Sequence, residues 1–460
     1  MSEEDIRQLY RTGENAVVAF VMDLLRQLNT NKEQDNKAIP DPATPSAMRP
    51  VYSKPSRKGA NRKPGRKSGH PGARRRKPLH IDHHREHTLD KCPNCHGSLP
   101  ASLTTRIRHT EEIVPPPPVV TEHVIHRYWC PACEKVVEPV VTAALPKSTI
   151  GLRTLVLTCW LHYAQGITLE KILQILNQMF HFPVSKGGLI LAWQKLARLL
   201  EYVYDDIGKQ ALHSAVLYID ETGWRVAGLT HWLWCFTNHR LVYFVIDKSR
   251  GSPVLKKVLG SLFQGILISD FFSAYNCITA MAKQKCLCHI FTDLARSDIR
   301  TKSAEWKSFR KKLSHFLKDA IKLHKHVKEL TEEEFAVTKA NLHQRLKDIY
   351  QQTYTDREAK RLAKRLEKHK DEVLTFLDHP EIAHENNHVE RQLRPAVISR
   401  KNSYCNRSAN GAYAQAVFMT FFRTLYLRNQ DPVASMMTIV EHSLKYGSIH
   451  DWQSLCTTNG

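Results

Sequence analysis

Two copies of one tetrapeptide form, Cys92-Pro93-Asn94-Cys95 and Cys130-Pro131-Ala132-Cys133, constrain this chain more than any other feature. Two thiols two residues apart in a tight turn can both reach one tetrahedral zinc ion at about 2.3 Å, and two such turns complete a site of four thiolates. The chain has 11 cysteines, and in a reducing compartment paired C-x-x-C spacing indicates metal binding before disulfides. Duplication of the form argues against a redox-active pair, and a filled tetrahedron leaves no open position for catalysis. A structural Zn²⁺ held by Cys92, Cys95, Cys130 and Cys133 is therefore expected. The 34 residues between the pairs are interrupted by the prolines at 115–118, which calls for a hairpin or small sheet there instead of a helix.

What precedes the knuckles cannot build a core. From Lys54 to Lys77 there are eleven Lys or Arg and no acid, among Pro, Gly and Ser. Such a segment stays extended when free, and its uncompensated charge suits the phosphates of a nucleic acid. Lys63, Arg66, Lys67, Arg74, Arg75 and Arg76 are its candidate DNA contacts. The whole chain carries a formal charge of +22, which favours a polyanionic partner. Upstream, Ile6, Leu9, Val17, Phe20, Leu24 and Leu28 recur mostly at helical steps, with Gly13 weakening the middle. That stripe can serve as a coiled-coil seam or pack on its own chain. The acidic start lacks the pattern of a signal peptide, and no apolar run reaches the roughly 20 residues of a membrane span. A cytoplasmic, nucleoid-associated protein without membrane contact is the expectation.

Beyond the knuckles, 151–208 reads as helical, with a break at Phe182-Pro183-Val184-Ser185. Helix, turn, helix in a basic protein permits a DNA-reading helix-turn-helix, although small helical subdomains often share the pattern. From Ala215 the texture becomes β-branched and aromatic: AVLYIDETGWRV, HWLWCFTN and RLVYFVID, then a helix in SPVLKKVLGSLF and a strand in GILISD. Three meandering strands, a helix and a fourth strand ending in an acid is the order of a ribonuclease-H-like α/β layer. A charged helical block covers about 297–377, and a last helical block 387–446.

Asp220 in LYIDETGW and Asp270 in ILISDFFSAYN each read as standing at the end of an apolar strand, where a carboxylate can face a cleft. In HENNHVERQLRP, Asn386, Glu390 and Arg394 share one helical face, with Asn387 and Arg391 beside them. A carboxylate among amides and guanidinium groups suits a metal ligand flanked by phosphate-holding side chains, here Arg391 and Arg394. Pro395 is expected to kink or end that helix.

These residues resemble the transposases of the insertion-sequence-66 family over nearly the whole chain. The matching motifs are the GRKSGHPG arm, the two C-P-x-C knuckles, D-E-T-G-W at Asp220 to Trp224 and S-D-x-x-x-x-Y-N from Ser269 to Asn276. C-x-x-H at Cys286 and His289 and N-N-x-x-E-R-x-x-R-P from Asn386 to Pro395 follow. The resemblance implies a DDE triad of Asp220, Asp270 and Glu390 holding two Mg²⁺ ions (Mn²⁺ as a substitute), which cuts and joins DNA. It also implies a helical insertion before the final Glu and, in some relatives, small accessory proteins. Glu385 stands where the family commonly has Asp, leaving two glutamates five residues apart; Glu390 is preferred because it sits in E-R-x-x-R.

The expected organisation is multidomain α+β. It comprises an N-terminal helix (1–29), a basic arm (30–78), a zinc-ribbon DNA-binding domain (79–146) and a helix-turn-helix-like subdomain (147–210). A ribonuclease-H-like catalytic core (211–296 and 378–426) follows, with its helical insertion (297–377) and a C-terminal helical element (427–460). The expected partners are element ends and target DNA. Joining two ends implies a homo-oligomer in the active complex. The competing reading is a catalytically inactive zinc-ribbon DNA-binding protein derived from a transposase, which would need no intact acid triad.

Overall fold

Alternating apolar residues between 216 and 285 build a five-stranded sheet with a hydrophobic core on each face. The computed structural model describes residues 78–113, 117–447 and 451–456, with Arg11, Gly13, Val17 and Met22. The leading helix and the basic arm, including Lys63, Arg66, Lys67, Arg74, Arg75 and Arg76, lie outside the described residues.

Around the knuckles two short strands, β1 (Tyr128–Cys130) and β2 (Lys135–Val137), form an antiparallel hairpin. Lys91 bridges Ser98 around the first knuckle. The expected hairpin between the pairs is not what forms. Pairing closes on each knuckle, and the described residues of 99–127 hold no strand. The run Pro115–Pro118 lacks the N–H donors a ladder needs.

Four helices follow: α1 (Leu152–Tyr163), α2 (Leu169–Phe180), α3 (Lys186–Leu199) and α4 (Glu201–Leu212). His181 ends α2 in the left-handed region, and the Ser185 hydroxyl caps α3 by accepting from the Gly188 N–H at 3.1 Å. The sheet comprises β3 (Val216–Val226), β4 (Leu229–Thr237), β5 (Val242–Asp247), β6 (Leu262–Ser269) and β7 (Thr279–Lys285), with α5 (Ser252–Leu259) between β5 and β6. Their order is β5-β4-β3-β6-β7; β3, β4 and β5 are antiparallel neighbours, and β6 and β7 run parallel to β3. Four strands were legible in sequence; β7 is the fifth.

Then come α6 (Leu287–Arg300), α7 (Ala304–Lys325), α8 (Glu332–Gln351), α9 (Arg357–Lys368), α10 (Asn387–Ser403), α11 (Ala409–Leu427) and α12 (Pro432–Tyr446). Period-two alternation sorts the strands between the faces. Leu217, Ile219, Trp234, Phe236 and Leu267 join the core under α1–α5, α11 and α12. Tyr218, Trp224, Leu233, Cys235 and Ile268 join the core under α6–α10. Edge strand β5 is covered by α11, where the Val242 N–H donates to Thr424 Oγ1 (3.1 Å) and the Phe244 N–H to Thr420 Oγ1 (2.9 Å). Side chains thus satisfy an edge that would otherwise offer itself to another chain. Gly265 lets β6 approach β3, since a Cβ there would lie 2.3 Å from the Ser214 carbonyl oxygen. Among the described residues no helix is long and apolar enough to cross a membrane.

Candidate active site

Asp220 sits in the middle of β3, not at its end. Its strand continues to Val226, pairing with β4 from Tyr218–Thr237 to Val226–Leu229. Asp220 is partly buried, and β6 stops at Ser269 while β3 runs on past it. The last parallel pair of β3 and β6 sets Tyr218 opposite Ile268, and Asp220 and Asp270 each follow it by two residues. Asp270 begins a turn in which its Oδ1 accepts from the Phe272 N–H at 2.8 Å. Asp220 Oδ1 accepts from the Glu221 N–H at 2.9 Å.

The third carboxylate arrives on α10. That helix is fastened along β3 at both ends: Asn386 Nδ2 donates to the Ile219 carbonyl (2.9 Å), and the Arg400 guanidinium donates to the Gly223 carbonyl and to Thr222 Oγ1. It runs through Pro395 to Ser403. Glu390 lies exposed in its first turn. Burial drives the Asp220 carboxyl well above the usual range, and the charges of Glu221, Asp270 and Glu390 push it the same way. Glu385 instead accepts from Cys288 Sγ at 3.4 Å, on the loop before α10. Three carboxyl groups, two of whose charges act on the third at Asp220, are an oxygen-donor set suited to a hard divalent cation. Among the described residues no three Cys, His, Asp or Glu are grouped tightly enough to hold an ion, neither these acids nor Cys92, Cys95, Cys130 and Cys133.

The start of C-x-x-H, at Cys286 and Leu287, is tied to the loop that leads into α10. The Asn386 N–H donates to Cys286 Sγ (3.2 Å), and the Leu287 N–H to the His384 carbonyl (2.9 Å).

Sequence reasoning passed over Glu221, although it quoted the motif. This residue points to the opposite face from Asp220 and is 5% exposed. Tyr275 donates its hydroxyl to Glu221 Oε2 (2.5 Å) and Arg250 Nε donates to Oε1 (3.0 Å). The Arg250 guanidinium is sandwiched between the rings of Trp232 (4.5 Å) and Phe272 (4.3 Å). Because Phe272 and Tyr275 follow Asp270, this group ties the Asp270 loop to β3. Burial and the Asp270 charge push the Glu221 carboxyl up to about 7, against the pull of Tyr275 and Arg250. Beneath the same loop, buried Lys285 donates to Ser269 Oγ at 3.0 Å and lies 3.7 Å from Glu372. Tyr275 was visible as the tyrosine of S-D-x-x-x-x-Y-N; Arg250 and Lys285 left no local signal.

Arg391 and Arg394 are exposed on α10 and line a cavity of about 430 Å³ with Arg423 and the end of α1.

Both knuckles close alike. The residue after the second cysteine is left-handed in each, His96 at φ 59° and Glu134 at φ 49°. The Cys92 thiol is held below its ordinary value first by the Cys95 N–H, and the Cys130 thiol first by the Cys133 N–H. Amides aimed at sulfur favour the thiolate that zinc requires.

A chain with this mixed sheet, a carboxylate cleft and paired cysteine knuckles is a zinc-finger protein joined to an α/β transposase domain. Residues 147–414 match the transposase IS66 family, and residues 90–134 match the zinc-finger binding domain of transposase IS66. The first match covers more than half of the 460 residues, and the chain belongs to the IS66 family of transposases. No curated protein matches it.

Proposed function

We propose that this protein binds the ends of its insertion sequence and catalyses metal-dependent DNA cleavage and strand transfer, with Asp220, Asp270 and Glu390 as the metal-holding acids. One observation carries the reading. Asp220 and Asp270 each follow the last parallel β3–β6 pair by two residues, and α10, fastened to β3 at both ends, carries Glu390, whose charge acts on Asp220. Glu390 is preferred over Glu385 because its charge, and not that of Glu385, is among the main influences on Asp220. The strand order and the two parallel members support a ribonuclease-H-like core in which 297–377 is an insertion.

Asp220, Asp270 and Glu390 would hold two Mg²⁺ ions, or Mn²⁺, which when bound activate the attacking oxygen and stabilise the leaving one. Asp220, on which the charges of both other acids act, would be the ligand they share. Water attacks the phosphodiester at the element end and frees its 3′-hydroxyl, leaving the 5′-phosphate on the flanking strand; that hydroxyl then attacks a target phosphodiester and displaces a target 3′-hydroxyl. Arg391 and Arg394 hold phosphate. Glu221, Tyr275 and Arg250 keep the Asp270 loop against β3. Cys92, Cys95, Cys130 and Cys133 would hold a structural Zn²⁺, and that ribbon with the basic arm grips DNA. Two joined ends require at least two protomers, with small accessory proteins as further partners and the nucleoid as the place of action.

The presence of all three acids favours this enzyme over an inactive DNA-binding derivative. A strand-transfer assay with element-end DNA and Mg²⁺ tests it. Wild type and Glu385→Gln should yield joined products, while Glu390→Gln should bind DNA and join none. Equal joining by wild type and Glu390→Gln would remove Glu390 from the triad.

A further inference from the structure

The cavity between the α1–α2 turn and α10 carries three guanidinium groups and no acid. Arg391, Arg394 and Arg423 line it with Tyr163, Gln165 and Met419, and no Asp or Glu is among its lining residues. Arg423 is half-buried, and its Nε and Nη2 donate to the neutral Gln392 Oε1 at 3.1 and 2.6 Å. Burial holds its guanidinium below its ordinary range. No described carboxylate pairs with Arg391, Arg394 or Arg423. Three like charges around one concavity repel one another, and a dianionic or bridging anion is the ligand that relieves them. At about 430 Å³ the space exceeds a bare phosphate and accommodates a phosphate with its sugar, for which Tyr163, Pro395 and Met419 supply an apolar wall.

We propose that this cavity binds a phosphate of the DNA backbone, one to two phosphates from the one at the acids, and that the α1–α2 turn is its second wall. The proposal rests on the transposase reading and deepens it. Arg391 directly follows Glu390, and Arg394 lies four residues past Glu390, roughly 6 Å along the helix, about the separation of neighbouring phosphates on one strand. A strand seated at Glu390 therefore continues onto the arginines. Arg423, from α11, and Gln165, from the helical subdomain, were not visible as partners in sequence.

Binding of full-length protein to a labelled element-end duplex, measured against salt, tests this. Arg391→Gln/Arg394→Gln alters two exposed side chains and avoids the half-buried Arg423. It should lower the slope of log affinity against log salt by about 1.8 and weaken binding at 0.1 M salt at least ~10-fold. Lys347→Gln, on the exposed face of the insertion, should change neither. Duplexes with one uncharged methylphosphonate should reveal one or two positions that weaken wild type and leave the double variant unaffected. An unchanged slope with intact wild-type binding, or no such position, overturns the cavity as a phosphate site and leaves the DNA reading standing. A wild type that binds no DNA overturns both.

Discussion

Replacing Glu221 by Gln should change how stability depends on pH more than it changes stability at any one pH. In the folded protein the Glu221 carboxyl is pushed up to about 7, from an ordinary 4.5. The folded state therefore holds the proton more tightly than the unfolded chain. Stability from this group is fully present below pH 4.5, falls as pH rises from 4.5 through 7, and is level above that. At about 1.4 kcal/mol per unit the whole loss is about 3 kcal/mol, of which roughly 2–3 kcal/mol falls between pH 5 and 8. Gln carries no titrating proton, so the variant lacks this slope. It bears a pH-independent cost instead, because its amide must turn a donor toward either Tyr275 or Arg250. Asp220 titrates in both proteins, but in the variant it loses the push of the Glu221 charge, so its own contribution to the slope shrinks in the same direction. The assay is guanidinium unfolding at pH 5, 6, 7 and 8 in EDTA, since a cation near Asp270 would itself pull the Glu221 carboxyl down. Tryptophan fluorescence follows the sheet through Trp224, Trp232 and Trp234. Wild type should lose roughly 2–3 kcal/mol relative to the variant across that range. Parallel pH profiles would refute the reasoning, because they would mean that Glu221 is ionised as readily in the fold as in water.

Two further outcomes follow from the packing and the knuckles. Gly265→Ala puts a Cβ 2.3 Å from the Ser214 carbonyl oxygen and 2.6 Å from that of Ala215, both backbone atoms that cannot rotate away. It should cost about 1–3 kcal/mol in the same unfolding assay and reduce strand transfer, since β6 delivers Asp270; a wild-type midpoint would show that the strands separate freely. Strong chelation should release one zinc per chain, read with a colorimetric zinc indicator, and Cys130→Ser should bind none. Helical circular dichroism should persist in both cases, because the helices pack on cores that contain no knuckle residue. Collapse of the helical signal on chelation would contradict that independence.

Local pattern revealed elements whose partners are near in sequence. The α2–α3 break, with Pro183 and the capping Ser185, and the three-strand meander with its turns at Gly228 and Asn238 could all be read from neighbours. Where polar residues are satisfied from a distance, the same reasoning fails. Asp220 reads as the end of a strand because the apolar run stops there, yet Glu221 and Thr222 continue it. They stay within β3 because β4 pairs the full stretch. Glu221 also meets Arg250 and Tyr275, 29 and 54 positions away, and Thr222 meets Arg400, 178 away. Strand β7, Thr279–Lys285, was missed for a related reason. Its Gln284 and Lys285 are polar, yet both are fully buried, with Gln284 donating to the Val373 carbonyl and Lys285 to Ser269 Oγ. These buried polar groups cost desolvation unless paired, so they persist only where distant partners meet them. The segments that sequence pattern misassigned therefore surround Asp220 and Asp270, because a cleft that gathers carboxylates needs buried cations and hydroxyls to hold its walls. Glu221 is the clearest case: its identity was visible beside Asp220, but its role depends on Arg250 and Tyr275, which only the folded sheet brings to it.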